Sequence, residues 1–168
     1  MANTYVAIAT TTVGSGGAAN IEFTSIPATY TDLVIKLSAR SVRSATADFL
    51  QININGSASN LTAKYLEANG ATVVSGADTV FIGALPGATS TANTFGNSEF
   101  YLPNYAGSTF KPISTDSVTE NNGSTAYIDL VASLWSQTAA ISSVKLLSAT
   151  SNNFAQYTTA TLYGISKT

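Results

Sequence analysis

The fold of this chain is decided by residues 33–40, which read Leu-Val-Ile-Lys-Leu-Ser-Ala-Arg. Apolar side chains at Leu33, Ile35 and Leu37 alternate with positions that include Lys36 and, further on, Arg40. Because successive side chains of a β-strand point to opposite faces, this period of two predicts a strand with one face in a core. Lys36 and Arg40 then share the opposite face, which we interpret as a solvent or interface face.

The same alternation recurs along the chain, between segments rich in glycine, asparagine and proline. Further strands are predicted at residues 21–26, 50–54, 80–85, 100–102, 127–135, 143–147 and 158–165. The turn residues Asn55-Gly56 and Pro103-Asn104 follow two of these segments directly. Short strands at this spacing predict an all-β fold, an antiparallel β-sandwich of jelly-roll-like form, with residues 1–168 in a single domain.

One segment permits a second interpretation. Within residues 58–69, the apolar side chains of Leu61, Tyr65 and Leu66 have partial helical spacing. Thr62 and the flanking Gly70 are equally consistent with a short turn. We therefore expect either a short turn or one helical turn here.

The composition excludes most common catalytic sites. The 168 residues include no histidine and no cysteine, so the chain has no imidazole base, no thiolate zinc ligand and no disulfide. Its seven cations lie singly, without the stripe of positive charge that binds a nucleic-acid backbone. No apolar run approaches the ~20 residues that span a bilayer. We expect neither a nucleic-acid partner nor a membrane.

Charged residues make up 10% of the chain and the net charge is −2. An ordinary soluble domain has about 25% charged residues, so repulsion between free copies of this chain is weak. Such a composition suits a protein that packs against copies of itself or against another shell. A neutral secreted domain would have the same composition.

Nine carboxylates are the remaining acid-base groups of moderate pKa. Asp116 and Glu120 lie nearest to a predicted loop, whereas Asp129 shares a predicted strand with Tyr127. Residues 116–122 also offer oxygen ligands for calcium, but their spacing does not match an EF-hand loop. We interpret this segment as a polar turn, and we predict no catalytic, cofactor or metal site.

Arginine and aromatic side chains are the candidates for an interface. Tyrosine and tryptophan combine apolar area with one polar group, and arginine pairs with carboxylates of a partner. The candidate interface residues are Arg40, Arg43, Tyr101, Tyr105, Phe110 and Trp135. The alternative is that the arginines are solvated and that Trp135 and most phenylalanines fill the core.

Short motifs in a fixed order carry a resemblance to a known family. They are Ile21-Glu22-Phe23-Thr24-Ser25-Ile26-Pro27, Thr29-Tyr30-Thr31-Asp32-Leu33, Ser38-Ala39-Arg40-Ser41, Ile54-Asn55-Gly56, Pro103-Asn104-Tyr105, Leu134-Trp135 ahead of Ala140-Ile141, Asn153-Phe154-Ala155-Gln156-Tyr157 and Leu162-Tyr163-Gly164-Ile165. Through them the chain resembles small bacteriophage virion proteins, from about Tyr5 to Ile165. One departure is Ser57, where related chains often have an acidic residue.

The resemblance implies a β-sandwich on the outside of a tailed-phage particle, and it carries no catalytic residues. We therefore expect a non-enzymatic capsid decoration or cement protein that binds the major capsid protein as a homotrimer on the virion surface. The alternative is a tail or head-fibre module that recognises host glycans, with Tyr101, Tyr105 or Trp135 in an exposed groove. A third hypothesis is a glycosidase that uses Asp116 and Glu120, which would have to lie ~5–9.5 Å apart.

Overall fold

The structure is a computed structural model that describes residues 4–79, 81–123 and 125–166, and these residues form twelve antiparallel strands and no helix. The strands are β1 (Tyr5–Thr12), β2 (Asn20–Phe23), β3 (Asp32–Ala39), β4 (Ala47–Ile54), β5 (Leu61–Ala68), β6 (Val73–Asp78), β7 (Ala84–Pro86), β8 (Gly96–Pro103), β9 (Lys111–Val118), β10 (Ile128–Trp135), β11 (Val144–Ser148) and β12 (Thr159–Ile165). The large sheet has the order β1-β12-β3-β8-β9-β10-β5-β6, and the small sheet β2-β11-β4-β7.

The main core lies between the two sheets. Leu33 and Ile35 of the large sheet belong to one buried cluster with Leu50 and Ile52 of the small sheet, and all four side chains are fully buried. Burying side chains of this size stabilises the fold by about 1.5–3 kcal/mol each. Lys36 is exposed between its buried neighbours, as the alternation predicts. The prediction of an all-β antiparallel sandwich is confirmed, and the jelly-roll-like connection stays a prediction.

A second, smaller cluster covers the inner face of the large sheet near β5, β6 and β10. It consists of Ala63, Phe81 and Val131, with Phe49 and Tyr65 packed against them. Aromatic side chains thus cover the inner face of the large sheet near its β6 edge.

The segment predicted as a turn or helical turn is a strand, and the helical interpretation of residues 58–69 was wrong. Leu61 and Ala63 point inward, whereas Thr62 and Lys64 point outward, and the strand pairs along its whole length with β10. This pairing between distant segments outweighs the weak local helical pattern. The turn before the strand is the predicted one at 55–56, where both residues have positive φ.

The predicted segment 80–85 contributes only its end to a strand, which is β7. Val80 lies outside the described residues, as do residues 1–3, 124 and 167–168 of the predicted single domain. None of the described residues belongs to a helix that could span a membrane.

Candidate functional site

The outer face of the large sheet has a polar half, formed by the outward side chains of β1, β12, β3 and β8. Thr10 and Thr161 face each other across β1 and β12, with their hydroxyl oxygens 3.0 Å apart. Lys36 forms an exposed ion pair with Glu99 of β8. These polar side chains thus pair with each other within the chain.

The other half of the outer face is apolar. We call it the apolar half, and we define it by five outward side chains that are 38–69% exposed: Leu66, Val73, Ile128, Leu130 and Leu134. Leu66 and Leu130 lie directly opposite each other in the pairing of β5 and β10. Residues at such positions are close enough to pack against each other, so the side chains form a continuous surface. Contiguous apolar patches of this kind on soluble proteins mark interaction sites.

Two charged side chains flank the apolar half. Asp116 of β9 is exposed and lies opposite Leu130, and Lys64 of β5 lies opposite Ala132. A shallow depression of about 340 Å³ runs between Leu66, Leu130 and Ala132. A partner that covers this surface therefore meets mostly aliphatic side chains, with one charge of each sign at the side.

The two edges of the large sheet, β1 and β6, carry little protection against pairing with another chain. β1 is eight residues long and uncharged, and β6 has Asp78 as its charged residue. Monomeric proteins usually protect such edges with lysine, proline or a bulge, because the unpaired backbone groups attract other strands. Of these protective features, β1 has only an irregular register between Ala7 and Ala9.

Both candidate arginines make contacts within their own chain. The Arg40 guanidinium donates hydrogen bonds to the backbone oxygens of four residues, over 2.8–3.3 Å: Ala88, Ser90, Thr91 and Thr94. Arg43 donates to the backbone oxygen of Ala47 at 3.0 Å, and its guanidinium lies 5.8 Å from the ring centre of Phe49. The Arg40 guanidinium thus holds the loop at 88–94, and the interface role of both arginines stays a prediction.

Three of the four aromatic candidates are buried or held by hydrogen bonds. Tyr105 is fully buried, with its hydroxyl donating to the backbone oxygen of Pro27, and Trp135 is 4% exposed. Tyr101 is half-buried, and its hydroxyl donates to Asp32 at 2.9 Å. Tyr105 and Trp135 therefore cannot line the exposed groove predicted for a glycan, because both rings are part of the core.

Phe110 is the exposed aromatic candidate, at 51%, and it precedes a buried lysine. Lys111 has no exposed surface, and its ammonium group donates to the backbone oxygens of Gly107 and Thr109 at 2.6 Å each. Its Nζ also lies 5.8 Å from the ring centre of Trp135. Burial lowers the pKa of Lys111. This cation thus stabilises the loop at 107–109 and is no surface charge.

The carboxylates predicted for a loop are separated by the strand boundary. Asp116 lies within β9 rather than in a loop, and Glu120 lies beyond its end, where it accepts a hydrogen bond from the backbone of Asn122 at 2.6 Å. Asp116 projects from the sheet because alternation along β9 points it outward. Among residues 4–79, 81–123 and 125–166, no group of three acidic, histidine or cysteine side chains could hold a metal ion.

A second concave surface, which we call the aromatic pocket, lies at the edge of the smaller core cluster. It has a volume of about 310 Å³, and its lining residues are Phe49, Tyr65, Glu67, Asp78, Phe81 and Ala149. The Phe81 ring packs edge-on against Phe49 and Tyr65, with ring centres 5.7 and 4.9 Å away. The Tyr65 ring lies over Gly76, where a Cβ atom would come within 2.4 Å of the hydroxyl oxygen. No motif in the sequence indicates this pocket, since its residues come from four separate segments.

A buried carboxyl group lies beside the aromatic pocket. Asp129 of β10 is directly opposite Glu67 of β5, on the inner face of the sheet, and has no exposed surface. Its Oδ2 accepts a hydrogen bond from the Ala84 backbone at 2.9 Å, whereas its Oδ1 has no partner among the described residues. Burial raises the pKa of Asp129 to about 7, and it also raises the pKa of Glu67. The sequence places Asp129 on a strand but does not reveal this burial.

Neither the models of known protein families nor the curated proteins compared with this chain contain a match.

Proposed function

We propose that this chain is a non-enzymatic structural protein of a bacteriophage virion, a decoration protein that binds the outer surface of the capsid. The observation that carries the proposal is the apolar half of the large sheet, where Leu66, Ile128 and Leu130 form one exposed surface. The sequence resemblance to virion proteins supports the same class. The major capsid protein is the partner we assign to this surface.

The energetics of the apolar half favour a permanent contact. Covering leucine, isoleucine and valine side chains removes apolar area from water, and only Lys64 and Asp116 at the side of this surface carry charges whose desolvation would oppose binding. A protein that binds the assembled lattice and not the separate subunits stabilises the lattice by RT ln(1 + [L]/Kd) at each site. The decoration protein would therefore act by mass action and needs no catalytic residue.

The proposed homotrimer would use the edges of the large sheet. β1 and β6 lie at opposite ends of this sheet, so an edge of one copy can pair with the other edge of the next copy. A head-to-tail contact of this kind gives a closed ring when its rotation closes, and three copies make the ring we propose. Closure would leave no strand edge of the large sheet exposed.

The alternative of a tail or head-fibre module that recognises host glycans has less support. Its predicted groove would use exposed rings such as Tyr101, Tyr105 or Trp135, and two of these three rings are buried. The glycosidase hypothesis likewise has no support from the positions of Asp116 and Glu120, which lie on a strand and in a loop beyond it.

The proposal is tested by substituting an exposed leucine of the apolar half and measuring binding to capsids that lack the protein. Leu130→Asp places a charge in the centre of the surface, and we expect its co-sedimentation with capsids to fall by at least about tenfold, since an unpaired buried charge is costly. Val42→Asp is the matched control, because Val42 is similarly exposed, at 50%, and lies outside the large sheet. Equal binding of both variants at wild-type strength would refute the proposal.

A further inference from the structure

The aromatic pocket offers hydrogen-bond acceptors and ring faces, with almost no donors. Glu67 and Asp78 supply carboxylates, and the Tyr65 hydroxyl is the one side-chain donor among its lining residues. A saccharide has both donors and acceptors to satisfy, so a lining of this kind suits it poorly. A group that consists of donors and carries positive charge suits it well.

The ring faces strengthen this preference. A cation within about 6 Å of an aromatic ring centre is attracted by the ring quadrupole, and more strongly where water is excluded. The structure already contains one such contact at the Phe49 ring, which is 5.8 Å from the Arg43 guanidinium. That guanidinium is engaged by the Ala47 backbone and lies 3.9 Å from Asp48. The half-buried Tyr65 remains as the ring surface for a second cation, because Phe81 is only 7% exposed and packs against both other rings.

The charge balance also favours a cation from outside. Glu67 takes part in none of the three ion pairs found in residues 4–79, 81–123 and 125–166. Burial disfavours its ionised form, so an arriving positive charge would be stabilised by Glu67 and would stabilise it in turn. Asp129 lies directly opposite Glu67 on the same face, and burial raises its pKa to about 7, so below that pH Glu67 rather than Asp129 carries the negative charge of this pair.

We infer that the aromatic pocket binds the ammonium or guanidinium group of a basic side chain from a protein partner. The volume of about 310 Å³ is at the lower end of the range for ligand pockets, which fits one side chain rather than an oligosaccharide. The inference does not depend on the virion proposal, because the pocket lies on the inner side of the sheet and the apolar half on the outer side.

The test is a titration of the full ¹⁵N-labelled chain with Nα-acetyl-arginine amide and Nα-acetyl-lysine amide, followed by amide chemical shifts. Nα-acetyl-citrulline amide is the matched neutral probe, since citrulline has nearly the shape of arginine and no charge. We expect saturable shifts at Tyr65, Glu67 and Phe81 with at least one of the cationic probes. Absence of saturable shifts with both of them, or equal binding of the citrulline probe or of methyl glucoside, would overturn the inference.

Two variants separate the pocket from general charge effects. Glu67→Gln keeps the shape of the side chain, and we expect it to weaken binding of the cationic probe by at least about fivefold. Glu99→Gln removes the same charge from the polar half, where Glu99 pairs with Lys36, and we expect affinity to stay within about twofold of wild type. An equal effect of the two variants would show a non-specific electrostatic effect and would contradict the assignment.

Discussion

Replacing Asp129 by asparagine tests whether the carboxyl group beside the aromatic pocket is held in its neutral form. Burial raises the pKa of Asp129 from its ordinary 3.8 to about 7. At a pH between these two pKa values, the Asp129 carboxyl group is ionised in the unfolded chain, whereas it keeps its proton in the folded chain. The free energy of unfolding therefore falls as the pH rises from about 4 to about 7, and it stays lowered above pH 7.

The magnitude follows from the gap between the two pKa values. Each pKa unit corresponds to about 1.4 kcal/mol, so the raised pKa lowers the free energy of unfolding at pH 8 by roughly 4 kcal/mol. Asparagine keeps an oxygen that accepts the Ala84 hydrogen bond of 2.9 Å, and it cannot ionise. Its amide nitrogen takes the place of Oδ1 without a partner, at a cost of about 1–3 kcal/mol that does not depend on pH. We expect the variant to gain roughly 3–4 kcal/mol relative to wild type between pH 4 and pH 8.

The assay is urea unfolding at pH 4, 6 and 8, followed by the fluorescence of the single tryptophan, Trp135, which is buried in the core. Asp116→Asn is the control, because Asp116 is exposed on the neighbouring strand β9. A relative stability of Asp129→Asn that changes by less than about 1 kcal/mol over this range would contradict a raised pKa at this position. So would an equal change in the control variant.

Three further substitutions test contacts that hold the fold. Arg40→Met removes the donors to the loop at 88–94, so we expect the free energy of unfolding to fall by about 2–3 kcal/mol and proteolysis within this loop to become faster. The control is Lys36→Met at an exposed position, which should change stability by less than about 1 kcal/mol. Lys111→Met leaves the backbone oxygens at 107 and 109 unpaired, and we expect urea unfolding to show a loss of about 2 kcal/mol; an unchanged midpoint would contradict the role of the buried ammonium group. Gly164→Ala places a Cβ atom 2.3 Å from the Tyr30 ring, and we expect thermal unfolding to report a loss of about 1–3 kcal/mol, with full stability as the contrary result.

The sheet was predictable wherever one face of a strand is buried. The alternation at 33–37 correctly places Leu33, Ile35 and Leu37 in the core, because burial on one face leaves a period of two in the sequence. The same rule failed at 58–69, where Tyr65 and Leu66 are both partly accessible at the end of the sheet and the contrast between faces is weak. A strand at the margin of a core therefore shows a weaker alternation of apolar and polar residues in its sequence.

The roles of single polar residues were not predictable, because their partners lie far away in the sequence. Arg40 binds backbone oxygens about fifty residues further on, and the Tyr105 hydroxyl binds Pro27, seventy-eight residues back. Backbone oxygens leave no trace in a sequence, since every residue has one. Lys111 did carry a signal: it lies two residues before the inward-pointing Ile113, which places it on the inner face of β9.

The aromatic pocket shows the same limit for a binding site. Phe49, Tyr65 and Phe81 follow one another at intervals of sixteen residues, and none belongs to a recognisable motif. Their meeting depends on the pairing of β5 with β10 and on the path of the chain after β6. The candidate site therefore follows from topology rather than from local sequence.

The copy number of this chain in purified phage particles tests our proposal that the apolar half of the large sheet lies against a capsid. Quantitative mass spectrometry of intact virions would give the ratio of this chain to the major capsid protein. We predict a fixed ratio that corresponds to a regular lattice over the whole shell. A few copies per particle, confined to the tail, would contradict the claim.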